Sequence, residues 1–277
     1  MKSINCKGKL IDLSLPKVMG ILNITPDSFY DGGKYNHEKA VIFQVKKMLH
    51  EGATFIDVGA YSSRPGAKHI SEKEELQRIL PTVKILVQEF PEIIISTDTF
   101  RSNVAKECIL NGAAMVNDIS AGEMDKNMFT TISQLQVPYI CMHMKGNPQI
   151  MQKNPSYNNI TKEVLFYFSK KIAQLREKGV NDIISDVGFG FGKTIEHNYE
   201  LLNNLDLFKN LEVPMLVGFS RKSMLYKPLN ISPNDALNAT TAVNTIALLK
   251  GASILRVHDI KEAVEAVKIV ELVKKNK

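Results

Sequence analysis

The 277-residue chain predicts an α/β protein, a (β/α)8 TIM barrel with a short N-terminal hairpin, and three observations carry that expectation. Eight short apolar runs each end abruptly in a polar or charged residue. Successive runs lie about 20 to 45 residues apart, the length of a βα unit with a right-handed crossover, and most of the gaps hold a helical pattern. The length suits one barrel, and no linker, low-complexity tract or internal repeat suggests a second domain, so residues 1–277 read as a single one. An open doubly wound sheet is the rival architecture. It gathers ligand groups at one switch point, whereas here the polar termini come from nearly all the strands.

Before the first run, Ile4, Cys6, Leu10 and Asp12 flank a Lys7-Gly8 turn, a hairpin expected to cover the bottom of the barrel. The run 18–22 then stops at Asn23, 54–56 at Asp57, 93–97 at Asp98 and 114–116 at Asn117. Further along, 139–142 stops at His143 and 182–185 at Asp186, while 215–217 leads into Gly218-Phe219-Ser220-Arg221-Lys222 and 253–255 into Arg256-Val257-His258. A strand buried on both faces reads as a continuous apolar run, so its polar last residue stands where the strand leaves the core. One such residue is an ordinary strand end; eight imply a shared rim. In the last helix, Ile260, Ala263, Val264, Val267, Val270 and Val273 recur at helical spacing after an expected Asp259 N-cap with Glu262 three residues on. Lys274, Lys275 and Lys277 meet the negative end of its dipole.

Composition narrows the function classes. A net charge of +6 and a pI near 9.0 admit nucleic acid, but the lysines are spread over helical faces and no basic run is interleaved with aromatics. Such a balance favours an anionic substrate instead. The three cysteines, Cys6, Cys108 and Cys141, lack CxxC spacing, which suits a reducing compartment. With no apolar leader and no run of the ~18 to 20 residues that span a bilayer, a cytoplasmic protein without membrane contact is expected.

The segment Asn23-Ile24-Thr25-Pro26-Asp27-Ser28-Phe29-Tyr30-Asp31-Gly32-Gly33 is either a plain surface loop or a site in which Asn23, Asp27 and Asp31 offer hard oxygen ligands to Mg²⁺. After the second run, Gly59-Ala60-Tyr61-Ser62-Ser63-Arg64-Pro65-Gly66-Ala67 combines hydroxyls, a guanidinium and glycine-freed amides, a set that suits phosphate. Both loops read as lids. Asp57, Asp98, Asn117 and Asp186 each have an alternative as a helix cap, yet grouped with Lys222 they suit a flat heterocycle bearing amide and amino groups. Lys222 is expected to offset their charge. Gly188-Phe189-Gly190-Phe191-Gly192-Lys193-Thr194 ends like a P-loop but has Val187 where that motif needs glycine, so it reads as a close turn with Phe191 as an apolar wall. Arg256 and His258 are a phosphate site after the last strand or, alternatively, an ion-pair partner and a capping histidine. His143, between two methionines, is more at home in a core.

The runs Asn23-Ile-Thr-Pro-Asp-Ser-Phe, Ser63-Arg64-Pro65-Gly66-Ala67, Asn117-Asp118-Ile119, His143-Met144-Lys145-Gly146, Gly188-Phe-Gly-Phe-Gly-Lys193, Ser220-Arg221-Lys222-Ser223 and Arg256-Val257-His258-Asp259 together resemble the dihydropteroate synthase family, in its order and over essentially the whole chain. The resemblance implies a homodimeric barrel transferase of folate biosynthesis. That family joins 6-hydroxymethyl-7,8-dihydropterin diphosphate to 4-aminobenzoate with Mg²⁺, releasing diphosphate. It implies that Asp98, Asn117, Asp186 and Lys222 contact the pterin, with Asp57 close by. Asn23, Ser63, Arg64, Arg256 and His258 are then expected to hold the diphosphate, and Asn23 and Asp31 to face Mg²⁺. Phe29, Pro65, Phe191 and Ser223 line the aminobenzoate pocket on the same grounds, where sulfonamides compete in this family. Lys222, Asp98, Asp186 and Arg256 are the expected catalytic set, acting in an SN1-like loss of diphosphate. Two departures stand out: Asp186-Val187-Gly188 replaces the family's Asp-Pro-Gly, and Gly59-Ala60-Tyr61-Ser62-Ser63-Arg64 replaces Gly-Gly-x-Ser-Thr-Arg. A corrinoid-dependent methyltransferase sharing the pterin subsite, or a pterin-binding paralogue without turnover, is the alternative.

Overall fold

The computed structural model describes residues 3–24, 34–62, 69–146, 151 and 155–276, with side chains in the first helix from residue 38 onward. Strands β1 (Ser3–Cys6) and β2 (Lys9–Asp12) pair antiparallel as the expected hairpin, and eight parallel strands close into a barrel in the order β10-β3-β4-β5-β6-β7-β8-β9. These are β3 (Lys17–Asn23), β4 (Phe55–Gly59), β5 (Ile95–Asp98), β6 (Met115–Asp118), β7 (Tyr139–Met142), β8 (Ile183–Asp186), β9 (Met215–Val217) and β10 (Ile254–Val257). Between them run α1 (Lys34–His50), α2 (Glu72–Glu89), α3 (Ser102–Leu110), α4 (Met128–Leu135), α5 (Ile160–Glu177), α6 (Ile195–Asn203), α7 (Ser223–Tyr226) and α8 (Leu237–Leu249). Helix α9 (Ile260–Lys275) follows the last strand.

Local chemistry starts several of the helices. Ser71 accepts from the Glu74 N–H at 3.2 Å to cap α2, Asn159 does the same for Lys162 at 2.9 Å in α5, and Thr194 and His197 form a reciprocal box at α6. Asp259 departs from the expected capping role: it occupies the cap position of α9 but makes no capping bond. Its carboxylate instead takes the Arg221 guanidinium through two bonds, 3.1 and 2.8 Å, because a bidentate ion pair outcompetes a single amide.

Strand alternation sorts the side chains into separate cores. Outward residues such as Val18, Ile56, Val58, Val116, Cys141, Val217 and Leu255 pack against the helices. Inward residues Met19, Phe55, Met115, Ile140, Ile184, Leu216 and Ile254 fill the lower interior, and Ile4, Cys6, Ile11 and Leu13 of the hairpin region plug it from below. The hairpin is also tied by the Asn5 N–H to Asp182 Oδ2 at 2.9 Å and by Lys7 Nζ to the Gly112 carbonyl at 3.2 Å. All three cysteines are buried and unpaired, and burial pushes the Cys6 and Cys108 thiols up to about 12. Among the described residues no helix is long and apolar enough to cross a membrane.

Candidate active site

The site grows out of the barrel's period of two. Met19 leads to Ile21 and Asn23, Phe55 to Asp57, Ser96 to Asp98, Met115 to Asn117, Ile184 to Asp186, and Ile254 to Arg256 on the same inward face. The register aligns them: Asn23 stands beside Gly59, Gly59 beside Asp98, and Asp98 beside Asn117. Asp57 and Asn117 therefore do not end their strands, as the apolar runs suggested. The backbone ladder continues past them while their side chains already face the mouth.

Arg256 is the hub. Its Nε donates to Asp57 Oδ2 at 2.6 Å and its Nη2 to Asp98 Oδ2 at 2.7 Å, and Asn117 Nδ2 donates to the same Asp57 oxygen at 2.9 Å. The charge offset expected of Lys222 is shared: Lys222 opposes the Asp186 carboxyl, and Arg256 reaches Asp57 and Asp98. Burial pushes the Asp98 carboxyl up to about 7 against the pull of Arg256, with Asp57 adding to the rise. Among the described residues Asp57 Oδ1 and Asn117 Oδ1 are buried acceptors without a protein donor, the kind of atom a ligand's N–H groups would satisfy.

On the opposite wall, Asp186 Oδ1 accepts the Gly188 N–H at 2.8 Å, which holds the turn after β8 without the proline that the family usually has there. Gly188 has φ +68°, and a Cβ on it would lie 2.0 Å from the His143 carbonyl oxygen, so only glycine fits. Burial raises the Asp186 carboxyl, chiefly opposed by Lys222, and lowers the Lys222 ammonium to about 8, with Asp186 opposing that shift. Lys222 Nζ donates to the Phe189 carbonyl at 2.5 Å and sits 4.8 Å from the centre of the Phe191 ring. Phe191 packs on a small cluster of Phe100, Ile119, Met142, Met144 and Met151. Ser223 begins α7 directly after Lys222, and His258 is tied to Ser220 through its N–H and its Nδ1, at 3.2 and 3.1 Å.

Asn23, Asp57, Asp98, Asn117, Asp186, Lys222 and Arg256 thus stand at the carboxyl-terminal mouth, and Phe191, Ser223 and His258 belong to its loops. Asp27, Phe29, Asp31, Ser63, Arg64 and Pro65 lie outside the described residues. Among the described residues no group of three or more His, Cys, Asp or Glu side chains could hold a metal ion. Of the two residues expected to face Mg²⁺, Asn23 is described and stands at the mouth, where its amide oxygen is a hard ligand of the right chemistry. Sequence reasoning passed over Lys193, which is buried against His143, and the buried Glu75–Arg101 pair beside Thr99. Glu75 carried no signal, being one acid among several in an ordinary helical first turn.

A pterin-binding enzyme model matches residues 19–258. The Escherichia coli K12 dihydropteroate synthase is 44% identical over 96% of this chain and 94% of its own length. The Yersinia pestis dihydropteroate synthase, solved in a complex with a sulfonamide drug, superposes with a TM-score of 0.92 at 40% identity, covering 99% of this chain and 100% of that one. The Xanthomonas albilineans enzyme, solved with 4-aminobenzoic acid, gives a TM-score of 0.91 at 33% identity, with 99% and 98% covered. Matches of this depth from end to end leave no room for the methyltransferase alternative, and the chain belongs to the dihydropteroate synthase family of pterin-binding enzymes.

Proposed function

We propose that this chain joins 6-hydroxymethyl-7,8-dihydropterin diphosphate to 4-aminobenzoate, forming 7,8-dihydropteroate and diphosphate. The carrying observation is the inward polar layer at the mouth: Asp57, Asp98, Asn117 and Asp186 set against Arg256 and Lys222. Asp186 and the free oxygen of Asn117 accept from the pterin's amino and ring N–H groups, and Lys222 donates to its carbonyl edge. Asp98 completes the pocket and, with Asp57, keeps Arg256 extended across the interior. Arg256 and His258, with Asn23 at the rim, face the diphosphate, and the family motif assigns Ser63 and Arg64 to it. Phe191 and Ser223 line the amine subsite, to which the family motif also assigns Phe29 and Pro65, and that is where a sulfonamide competes. Asn23, with Asp31 assigned beside it by the family motif, would hold Mg²⁺, which would supply charge neutralisation to the diphosphate oxygens.

Among the described residues the mouth carries no base aimed at the amine, and an aromatic amine attacks as the neutral species. Stabilisation is concentrated on the leaving group. The C–O bond to diphosphate therefore breaks first, the electron-rich pterin ring carries the developing positive charge, and the amine adds afterwards with loss of its proton to solvent. Exposed Ile246, Leu249, Ile269, Leu272 and Val273 on α8 and α9 support a homodimer through that face, in a cytoplasmic protein. Incubating the purified chain with Mg²⁺ and both substrates tests the reading: dihydropteroate must form, and binding without product would make the chain a non-catalytic paralogue.

A further inference from the structure

The Gly-Lys-Thr sequence that imitates a P-loop has another use. Lys193 is 3% exposed, and its Nζ faces four acceptors: His143 Nδ1 at 3.0 Å, the His143 carbonyl at 3.3 Å, and the Gly188 and Phe191 carbonyls at 2.9 Å each. An ammonium has three donors, so one is shared and no N–H remains for a phosphate. Two acceptors belong to the residue after β7 and two to the turn after β8. Those segments press together backbone to backbone, since a Cβ on Gly192 would meet the Lys145 carbonyl at 2.6 Å. The Phe191 N–H closes the same turn onto the Gly188 carbonyl at 3.0 Å, and the Tyr157 hydroxyl donates to the Gly192 carbonyl at 2.8 Å.

We propose that Lys193 is a positioning residue for the amine subsite: its side chain ties the end of β7 to the β8–α6 turn and thereby sets where Phe191 stands. Phe191 is held at three points, its carbonyl by Lys193, its N–H by the Gly188 carbonyl and its ring by the methionine cluster beneath Lys222. Removing the first loosens the tie between this turn and the end of β7, against which the ring is placed. His143 serves the same node: burial, helped by Lys193, drives its imidazole down to about 2 and keeps it neutral, and the Lys193 ammonium, which only donates, takes Nδ1 as acceptor. The inference rests on the reading of Phe191 as a wall of the 4-aminobenzoate pocket.

The test compares Lys193→Met, Phe191→Ala and the double variant, using the 4-aminobenzoate KM at saturating pterin diphosphate and Mg²⁺, and calorimetric pterin affinity. Lys193→Met is expected to raise the KM at least tenfold while moving pterin affinity less than threefold. The double variant should stay within twofold of Phe191→Ala, because Lys193 acts through that ring. If Phe191→Ala raises the KM and Lys193→Met does not, or if the two effects multiply, the positioning role is overturned and the subsite reading stands. If Phe191→Ala leaves the KM unchanged, the subsite reading fails and the inference falls with it. Should Lys193→Met not fold, Lys193→Gln replaces it, with at least a threefold rise expected.

Discussion

The two ends of the same barrel strands do opposite work. At the bottom, Phe55, Met115, Ile184 and Ile254 meet the hairpin in a dry cluster. Two residues further along the same faces, roughly 6.6 Å on, stand Asp57, Asn117, Asp186 and Arg256. The backbone is equally regular at both levels, so the difference is one of side-chain energetics. Burying charge at the top opposes folding unless each group is paired, whereas every apolar group at the bottom favours it. The bottom supplies stability that lets the top hold its carboxylates poised for a ligand.

Arg256→Ala breaks that contrast most severely. It leaves Asp57 and Asp98 buried without their shared cation, and breaking a buried pair costs about 3 to 5 kcal/mol. In folded protein, turnover should fall by about 10² to 10³, more than pterin affinity does, because a group aimed at the departing diphosphate acts as its charge develops. Equal losses of turnover and affinity would reduce Arg256 to a structural ion-pair partner. Adding Asp98→Asn should recover stability in thermal melts without recovering turnover.

Ile184→Ala attacks the other end. Trimming a fully buried side chain next to the hairpin plug is expected to cost about 2 to 5 kcal/mol in denaturant unfolding. Both KM values should stay within twofold at a temperature where the protein is folded. A change in pterin KM comparable to the stability loss would mean the two ends are mechanically coupled, against the division drawn above.

Asp186→Asn sharpens the comparison by keeping shape and removing charge, two residues from that same isoleucine. It sets a donor against the pterin's donors, at about 1 to 3 kcal/mol for each buried group left unpaired. Calorimetry should show pterin affinity reduced at least tenfold. Unchanged affinity would remove Asp186 from the pocket.

The barrel was legible because its two signals are local: an apolar run, and a polar residue where the run stops. Position along a strand was read less well, since Asp57 and Asn117 sit inside the ladder, and only the alternation from Phe55 and Met115 reveals that they face inward. Pairing was not legible at all. Arg256 and Asp57 are 199 residues apart in the chain, and closure of β10 against β3 is what brings them together. Asp259 carried a correct local signal for a helix cap that a non-local partner, Arg221, overrode. Lys193 was hidden by a motif that resembles another, and its acceptors are mostly backbone carbonyls, which leave no trace in sequence.

The smallest effect expected is the most diagnostic of the polar end: the pH profile of kcat/KM for the pterin substrate, which reports ionisations of the free enzyme. Asp98 is pushed up to about 7 and Lys222 down to about 8, so the form with a carboxylate acceptor and an ammonium donor is best populated between those values. The profile should rise through 7, fall above 8, and lose its alkaline limb in Lys222→Arg. The signs of the stability terms follow from the same shifts. A carboxyl raised in the folded state holds its proton longer than in the unfolded chain, so the Asp98 contribution falls as pH rises from about 4 to 7. An ammonium lowered in the folded state gives up its proton earlier, so the Lys222 contribution is unfavourable below 8 and eases as pH climbs toward the unfolded value near about 10.4. Asp98→Asn should make the first slope shallower and Lys222→Met the second, since Asp186 and Lys193 shift in the same directions and keep their share, while Ile184→Ala lowers the whole stability curve without changing its pH dependence. If Ile184→Ala altered the slope, the separation between an apolar foundation and a poised polar rim would fail, and if the Asp98 and Lys222 variants left it intact, these two groups would not be the source of the pH response.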